Sequence, residues 1–259
     1  MQGIQFTPNA THVIGVNTVQ PSMVTDGARG IFISYLFYQV DPATGHVYTA
    51  VQRILANGTL AFPISGIKAA GSDQTRTGRT AMISDEAGGA ILILDVSSSN
   101  DSADDLIVQR VDGNGNSLWG ASGRALVSAP NYQEFPQVTS DGAGGWIVTW
   151  AADRNGEGAD CERNIGNCDI YAQRIDNDGN SLWQANGVPV TKSVGSQRFP
   201  KIVSDGSGGA IIAFHDCRYS TAGGVSCDVD RDVFAQRLDS SGTPLWTADG
   251  VAVTTAGWN

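Results

Sequence analysis

Charged side chains that could bind a ligand or catalyse a reaction follow the ends of three apolar runs. Two of these runs, Gly145–Trp150 and Gly209–Phe214, occupy corresponding places in the chain. Arginine offers a planar fork of donors for carboxylates and paired hydroxyls, and aspartate accepts hydrogen bonds from hydroxyls. We expect the charged residues to lie at matching points of neighbouring units and to line one surface. The candidates are Asp95, Asp153, Arg154, His215, Asp216 and Arg218.

The same residues allow a catalytic interpretation. Pairs of carboxylates about 5 to 9 Å apart hydrolyse glycosidic bonds, and Asp95, Asp153 and Asp216 could converge in this way. His215 adjoins Asp216, but adjacent strand residues point to opposite faces, so a general base at His215 needs a partner from another unit. The sequence contains no nucleophile elbow, no zinc-protease motif and no phosphate loop. The residues therefore favour binding over catalysis.

The connections that follow two of these runs are long and hold all four cysteines. Long ordered loops on a rigid scaffold often carry the binding function of a domain. The cysteine spacings exceed the two to four residues typical between the ligands of structural zinc sites. We therefore predict two local disulfides and an oxidising compartment. The predicted pairs are Cys161–Cys168 and Cys217–Cys227.

Three sequence signatures recur along the chain. The first is an aspartate turn after a short apolar strand, at Asp26, Asp85, Asp141 and Asp205. The second is a strand centred on Gln-Arg, with Arg53, Arg110, Arg174 and Arg237, and the third is a turn that leads into Trp119, Trp183 and Trp246. A catalytic centre needs unequal residues in unequal roles. We therefore expect the recurring Asp and Arg to pair structurally and the tryptophans to pack between units.

Each unit contains four short strands bounded by Gly, Asp and Asn, and no window sustains helical periodicity. Four antiparallel strands repeated at a fixed spacing are typical of a propeller blade. The pattern Ser-Asp-Gly-x-Gly-Gly, then Ile-Tyr-Ala-Gln-Arg-Ile-Asp, then Gly-Asn-Ser-Leu-Trp resembles propeller repeats of bacterial secreted and cell-surface proteins. That resemblance covers nearly the whole chain and implies a propeller in an extracellular setting, but no particular activity.

We expect a single all-β domain, residues 1–259, that forms a β-propeller of four four-stranded antiparallel blades. Residues 1–19 form a lead-in, and Thr11–Thr18 resembles the last element of a blade, so we predict that it pairs with the last blade and closes the ring. The alternative is a four-blade excerpt of a larger propeller or an open array. The expected blades cover about 20–76, 77–133, 134–197 and 198–259.

The charge of the chain limits its partners. A net charge of −10 repels phosphate backbones and anionic lipid headgroups, so we expect neither nucleic acid nor membrane insertion. The turn Asp176-Asn177-Asp178-Gly179-Asn180 resembles the opening of a calcium loop, but it lacks the glutamate at position twelve. Asp176 and Asp178 are thus candidate calcium ligands, with an ordinary hairpin turn as the alternative. No other cofactor is expected.

These observations predict an extracellular or cell-surface protein, with the periplasm as an alternative location. Its expected function is binding or adhesion, in which the face that carries the loops between second and third strands recognises a glycan or a surface protein. A carbohydrate-active hydrolase or lyase, with acidic residues at the central tunnel, is the enzymatic alternative. A structural spacer in a repeat array is the third.

Overall fold

The computed structural model describes residues 21–38, 47–64, 66–70, 75–98, 104–154, 161, 167–219 and 231–254. These residues form sixteen strands and no helix. Within them there is consequently no helix long and apolar enough to span a bilayer. The predicted all-β class is confirmed.

The strands form four antiparallel sheets of four strands each, and strands that are consecutive in the chain are neighbours in every sheet. The sheets are termed blades 1 to 4. Their first strands begin one or two residues before the predicted starts of blades 2, 3 and 4. Blade 1 contains β1 (Ser22–Thr25), β2 (Ile31–Tyr38), β3 (Val47–Ile54) and β4 (Ile67–Lys68); blade 2 contains β5 (Thr75–Ser84), β6 (Ala90–Ser98), β7 (Asp104–Val111) and β8 (Arg124–Val127). Blade 3 contains β9 (Gln133–Ser140), β10 (Trp146–Ala152), β11 (Asp169–Ile175) and β12 (Val188–Thr191); blade 4 contains β13 (Gln197–Ser204), β14 (Ala210–Asp216), β15 (Asp232–Leu238) and β16 (Val251–Thr254).

A carboxylate closes the turn between the first and second strands of every blade. In blade 3, Asp141 accepts hydrogen bonds from the backbone N–H of Ala143 (2.7 Å) and Gly145 (2.8 Å), and it pairs with Arg174 at 2.7 Å. Burial raises the pKa of Asp141, but the hydrogen bonds from Ala143 and Arg174 outweigh burial and hold the pKa below its usual value. The predicted structural role of the recurring pairs is confirmed by Asp26–Arg53, Asp85–Arg110 and Asp205–Arg237.

The glutamine that precedes each of these arginines fixes the turn into the fourth strand. Gln173 accepts a hydrogen bond from the backbone N–H of Trp183 (2.9 Å) and donates to the carbonyl of Gln184 (2.8 Å). Gln109 and Gln236 bind the corresponding turns of blades 2 and 4 in the same way. Because buried polar groups are costly unless they are hydrogen-bonded, the Gln-Arg signature is explained by the scaffold alone.

The blades pack face to face in chain order, as in a β-propeller. One apolar cluster lies between blades 1 and 2, a second between blades 2 and 3, and a third between blades 3 and 4. First strands contact one another, β1 with β5, β5 with β9 and β9 with β13, so they form the inner layer. Trp119 of blade 2 packs edge-on against Trp146 of blade 3, with ring centroids 6.3 Å apart. This agrees with the predicted packing of the tryptophans between units.

Ring closure stays a prediction. In the described part of the chain no apolar cluster joins blade 4 to blade 1. The segment Thr11–Thr18, predicted to pair with the last blade, lies outside the described residues. The fourth position of blade 4 is taken by β16, which pairs with β15.

Candidate ligand-binding cleft on blade 3

Arg154 and Arg218 occupy the same position in blades 3 and 4. The guanidinium carbon of Arg154 lies 3.7 Å from the ring centroid of Tyr171, and that of Arg218 lies 3.8 Å from the ring centroid of Phe234. Each guanidinium also donates to a backbone carbonyl in the turn before the fourth strand of its blade. The predicted match between blades 3 and 4 is therefore present for the two arginines.

The two aspartates of the predicted surface do not match. Asp216 is the last residue of β14, whereas Asp153 follows the end of β10 and has Cys217 as its counterpart, as the backbone hydrogen bonds of both residues show. Because successive strand residues point to opposite faces, a shift of one residue places the carboxylates on different faces. The prediction that Asp153 and Asp216 lie at matching points is wrong. Asp216 instead pairs with Arg218 at 2.6 Å within its own blade.

The first strands of the blades surround a cavity, and no carboxylate is among the described residues that line it. The first strands of blades 2 to 4 surround a space of about 330 Å³, whose walls include Arg79, Phe135, Phe199 and Lys201. Asp95, Asp153 and Asp216 do not line this cavity, because they stand on the second strands or just after them. Their predicted convergence at the central tunnel stays a prediction.

His215 and Asp95 lie on different blades. The imidazole of His215 packs edge-on against Phe199, with ring centroids 5.5 Å apart. Burial and, to a smaller extent, the charge of Arg231 lower the pKa of His215, so the ring is neutral at pH 7. Asp95 is buried in β6, opposite Leu106 of β7. Neither residue lines the cleft on blade 3.

A cleft of about 710 Å³ opens on blade 3, at the end of the blade that carries the loop between the second and third strands. Its volume lies within the range of about 300 to 1,000 Å³ that is usual for small-molecule sites. Of the binding residues predicted from the sequence, Arg154 alone is among the described residues that line it. The polar lining consists of Arg154, Asn167, Asp169, Tyr171, Gln184, Lys192 and Ser193.

Asp169 is the chemically distinctive group of the cleft. Its side chain is buried, and burial raises its pKa to about 6. Among the neighbouring charges, that of Lys192 has the largest effect on the pKa of Asp169 and lowers it, whereas the charge of Asp249 raises it. Because a protonated carboxyl both donates and accepts hydrogen bonds, the hydrogen-bonding capacity of Asp169 changes in weakly acidic solution.

Sequence reasoning missed Asp169 because the residue is part of the repeat. Asp105 and Asp232 take the same place at the start of the third strand in blades 2 and 4, and recurrence favours a structural role. The surroundings of Asp169 in blade 3 are different. Cys168, at the end of the loop between β10 and β11, directly precedes Asp169, and Lys192 directly follows β12. The position of Cys168 directly before Asp169 was the available signal.

The predicted disulfide between Cys161 and Cys168 is present, with an S–S distance of 2.00 Å. It joins the loop between β10 and β11 to the residue next to Asp169, and Asn167 of the cleft is part of the loop that it closes. Cys217 is also disulfide-bonded, and its predicted partner Cys227 lies outside the described residues. A disulfide agrees with the predicted oxidising compartment.

The candidate calcium turn is held together by its own aspartate. Asp176 accepts hydrogen bonds from the backbone N–H of Asp178 (2.9 Å) and Asn180 (2.8 Å) and from the side-chain amide of Asn180 (3.0 Å). Asp178 is exposed. Among the residues that the structure describes, no three His, Cys, Asp or Glu side chains are grouped for a metal. The geometry is that of the hairpin alternative.

No family model and no curated protein matches the sequence. Similar solved structures include an exo-1,5-alpha-L-arabinanase from a bovine ruminal metagenomic library, with 12% identity and a TM-score of 0.47 over 84% of this chain and 74% of that one. A B. megaterium levansucrase mutant has 10% identity and a TM-score of 0.49 over 90% and 68%. A protein of unknown function from Dyadobacter fermentans DSM 18053 has 10% identity and a TM-score of 0.46 over 72% and 46%, so this chain spans less than half of it. All three TM-scores are below 0.5, and the function has to be argued from the cleft.

Proposed function

We propose that the chain is an extracellular carbohydrate-binding module that holds a neutral glycan in the cleft on blade 3. The observation that carries the proposal is Asp169, a buried carboxyl of raised pKa in a cleft that also presents Arg154, Asn167 and Lys192. Sugar hydroxyls both donate and accept hydrogen bonds, and this lining supplies partners for both roles. The disulfide at Cys161 supports the extracellular assignment.

Two polar atoms of the lining support a ligand of this kind. Arg154 Nε and Asn167 Oδ1 are buried, and neither has a hydrogen-bond partner in the described part of the chain. One atom is a donor and the other an acceptor, which matches a hydroxyl group. Buried polar groups of this kind cost roughly 1 to 3 kcal/mol each when they are left unpaired. Because both atoms have almost no accessible surface, a glycan gains this energy only when the lining side chains move to expose them.

The charges around the cleft favour a neutral glycan over an anion. Arg154 and Lys192 carry positive charge. They are opposed by Asp249 and Asp153, which both raise the pKa of Asp169, and by Asp169 itself when it is ionised. An anionic ligand would meet these carboxylates at neutral pH, with no net positive field to offset them. Neutral hydroxyl groups carry no such penalty.

A glycan array on the purified protein tests the proposal, followed by calorimetric titration of the best neutral oligosaccharide. We expect Asp169→Asn and Lys192→Ala to weaken binding by about tenfold or more, since each removes a charged hydrogen-bond partner and hydrogen bonds to charged groups are worth roughly 1.5 to 3 kcal/mol. Asp105→Asn is the matched control, because Asp105 takes the same repeat position on blade 2, outside the cleft. Loss of binding in Asp105→Asn alone, or unchanged affinity in both cleft variants, would place the site elsewhere.

One observation favours a second function, glycoside hydrolysis. A general acid needs a raised pKa, and that of Asp169 is about 6. Asp153 and Asp249 are close enough to raise it further and could supply the second carboxylate. If the cleft is catalytic, reducing sugar accumulates from the bound oligosaccharide, the rate falls as the pH rises through about 6 because Asp169 ionises, and Asp169→Asn abolishes release. Binding without any release supports the binding module.

A further inference from the structure

Every junction between consecutive blades repeats one polar contact. The arginine of the Gln-Arg strand reaches with Nη1 to the turn between the third and fourth strands of the next blade. Arg53 donates to the carbonyl of Gly113 (2.7 Å), Arg110 to the side chain of Asn177 (2.9 Å), and Arg174 to the carbonyl of Ser240 (3.1 Å). Each blade therefore has a donor side and an acceptor side, and the donor side faces the next blade in the chain.

An aromatic ring accompanies this contact and packs on a glycine of the same turn. A Cβ atom built on Gly179 would lie 2.9 Å from Trp119, and one on Gly242 would lie 2.8 Å from Trp183. In the first junction Phe62 packs on Gly115 in the same manner. The tryptophan of the third signature therefore belongs to the donor side of its blade. The turn glycine that the ring packs on belongs to the acceptor side of the next blade.

Within the described residues, no blade covers the face of blade 4 that carries the donor set. Trp246 is 36% exposed, whereas Trp119 is 8% exposed. Val253 is 63% exposed, although its counterpart Val190 in β12 is 2% exposed. The Arg237 side chain is 35% exposed, against 13 to 19% for the equivalent arginines of blades 1 to 3.

Blade 1 carries the acceptor set on its outer face. The turn between β3 and β4 has the same hairpin hydrogen bonds as its counterparts, from Gly58 N–H to the Leu55 carbonyl and from Leu55 N–H to the Thr59 carbonyl. Gly58 has a φ of +82°, and a Cβ atom built on it would meet no atom within 4 Å. On the same blade Met23 is 64% exposed, although the corresponding residues of blades 2 to 4 pack into the apolar clusters.

We propose that blade 4 of one copy packs on blade 1 of a second copy through this repeated junction. In the junction Trp246 rests on Gly58 of the partner, and Arg237 Nη1 donates to the carbonyl of the partner's Ala56, the counterpart of Ser240. Two copies joined head to tail in both directions close into one ring of eight blades. Propellers have typically about four to eight blades, and a heterologous interface that closes leaves no open end.

Light scattering coupled to size-exclusion chromatography tests this proposal on the whole chain. We expect a particle of twice the protomer mass of 27.1 kDa. Met23→Lys and Val253→Lys each place a charge in the junction, and each should raise the dimer dissociation constant by about 100-fold or more, as charges introduced into buried interfaces do. Leu245→Lys is the matched control, because Leu245 is 48% exposed and its counterpart Leu182, within a covered blade, is 49% exposed.

Mixing the variants tests the direction of the contact. An equimolar mixture of Met23→Lys and Val253→Lys contains one unmodified junction, formed by blade 4 of the first variant and blade 1 of the second. We expect the mixture to regain dimer, while each variant alone stays monomeric with an unchanged far-UV spectrum. A monomeric wild type, open polymers in place of a dimer, or dimers that survive in either single variant would overturn the proposal.

Discussion

Replacing Asp169 by asparagine should stabilise the protein, by an amount that depends on pH. Burial raises the pKa of Asp169 to about 6 from a reference value of 3.8, so the folded state disfavours the ionised carboxyl. Above the folded pKa the wild type carries the full cost, which is roughly 3 kcal/mol for a shift of about two pKa units. As the pH falls through the folded pKa towards the unfolded one, the cost disappears. Asparagine resembles the protonated carboxyl and carries no such cost at any pH.

Urea unfolding of wild type and Asp169→Asn at several pH values measures this difference. We expect the variant to be more stable by about 3 kcal/mol near pH 8 and by less than about 1 kcal/mol near pH 4. His215 is present in both proteins, so its contribution to the pH dependence cancels in the comparison. Asp105→Asn provides the control for the substitution itself. A stability difference that is constant between the two pH values would refute the reasoning.

The structure makes three further predictions. Gly179→Ala should cost several kcal/mol, since a Cβ there would meet Trp119 at 2.9 Å; Gly206→Ala, with φ +75° but open space, should cost about 1 kcal/mol in the same urea titration. Replacing Cys161 and Cys168 together by alanine should cost at most about 2.5 kcal/mol, because the closed loop is short; a larger loss would mean that the disulfide shapes the cleft rather than the unfolded chain. Millimolar Ca²⁺ should leave the melting temperature unchanged, because the turn itself engages both oxygens of Asp176; a calcium-dependent rise would contradict this.

The repeat signatures were sufficient to predict the scaffold because they are local. Strands such as β11 (Asp169–Ile175) and β12 (Val188–Thr191) are short and lie between turns rich in glycine, aspartate and asparagine, as the sequence pattern of four short strands per unit predicts. The pairing of Asp141 with Arg174 followed from their recurrence in every blade. In each case residues of a single repeat determine the structure.

The candidate cleft depends on features that a single repeat does not contain. The alignment of Asp216 with Asp153 was wrong because Asp216 is the last residue of β14, whereas Asp153 is the first residue after β10. A shift of one residue along a strand reverses the face to which the side chain points. The pKa of Asp169 depends on burial and on charges from the fourth strand and from the next blade, including Lys192 and Asp249. These contacts arise only when blades 3 and 4 are packed together.

A carbon-13 titration of the Asp169 carboxyl, with and without the oligosaccharide selected on the array, tests the central proposal most directly. The carboxyl should titrate near pH 6 in the free protein, and a bound glycan that hydrogen-bonds to it should move that pKa measurably. A carboxyl that titrates near its ordinary value of about 4, or a pKa near 6 that saturating glycan leaves unmoved, would contradict the assignment of the cleft on blade 3 as the binding site.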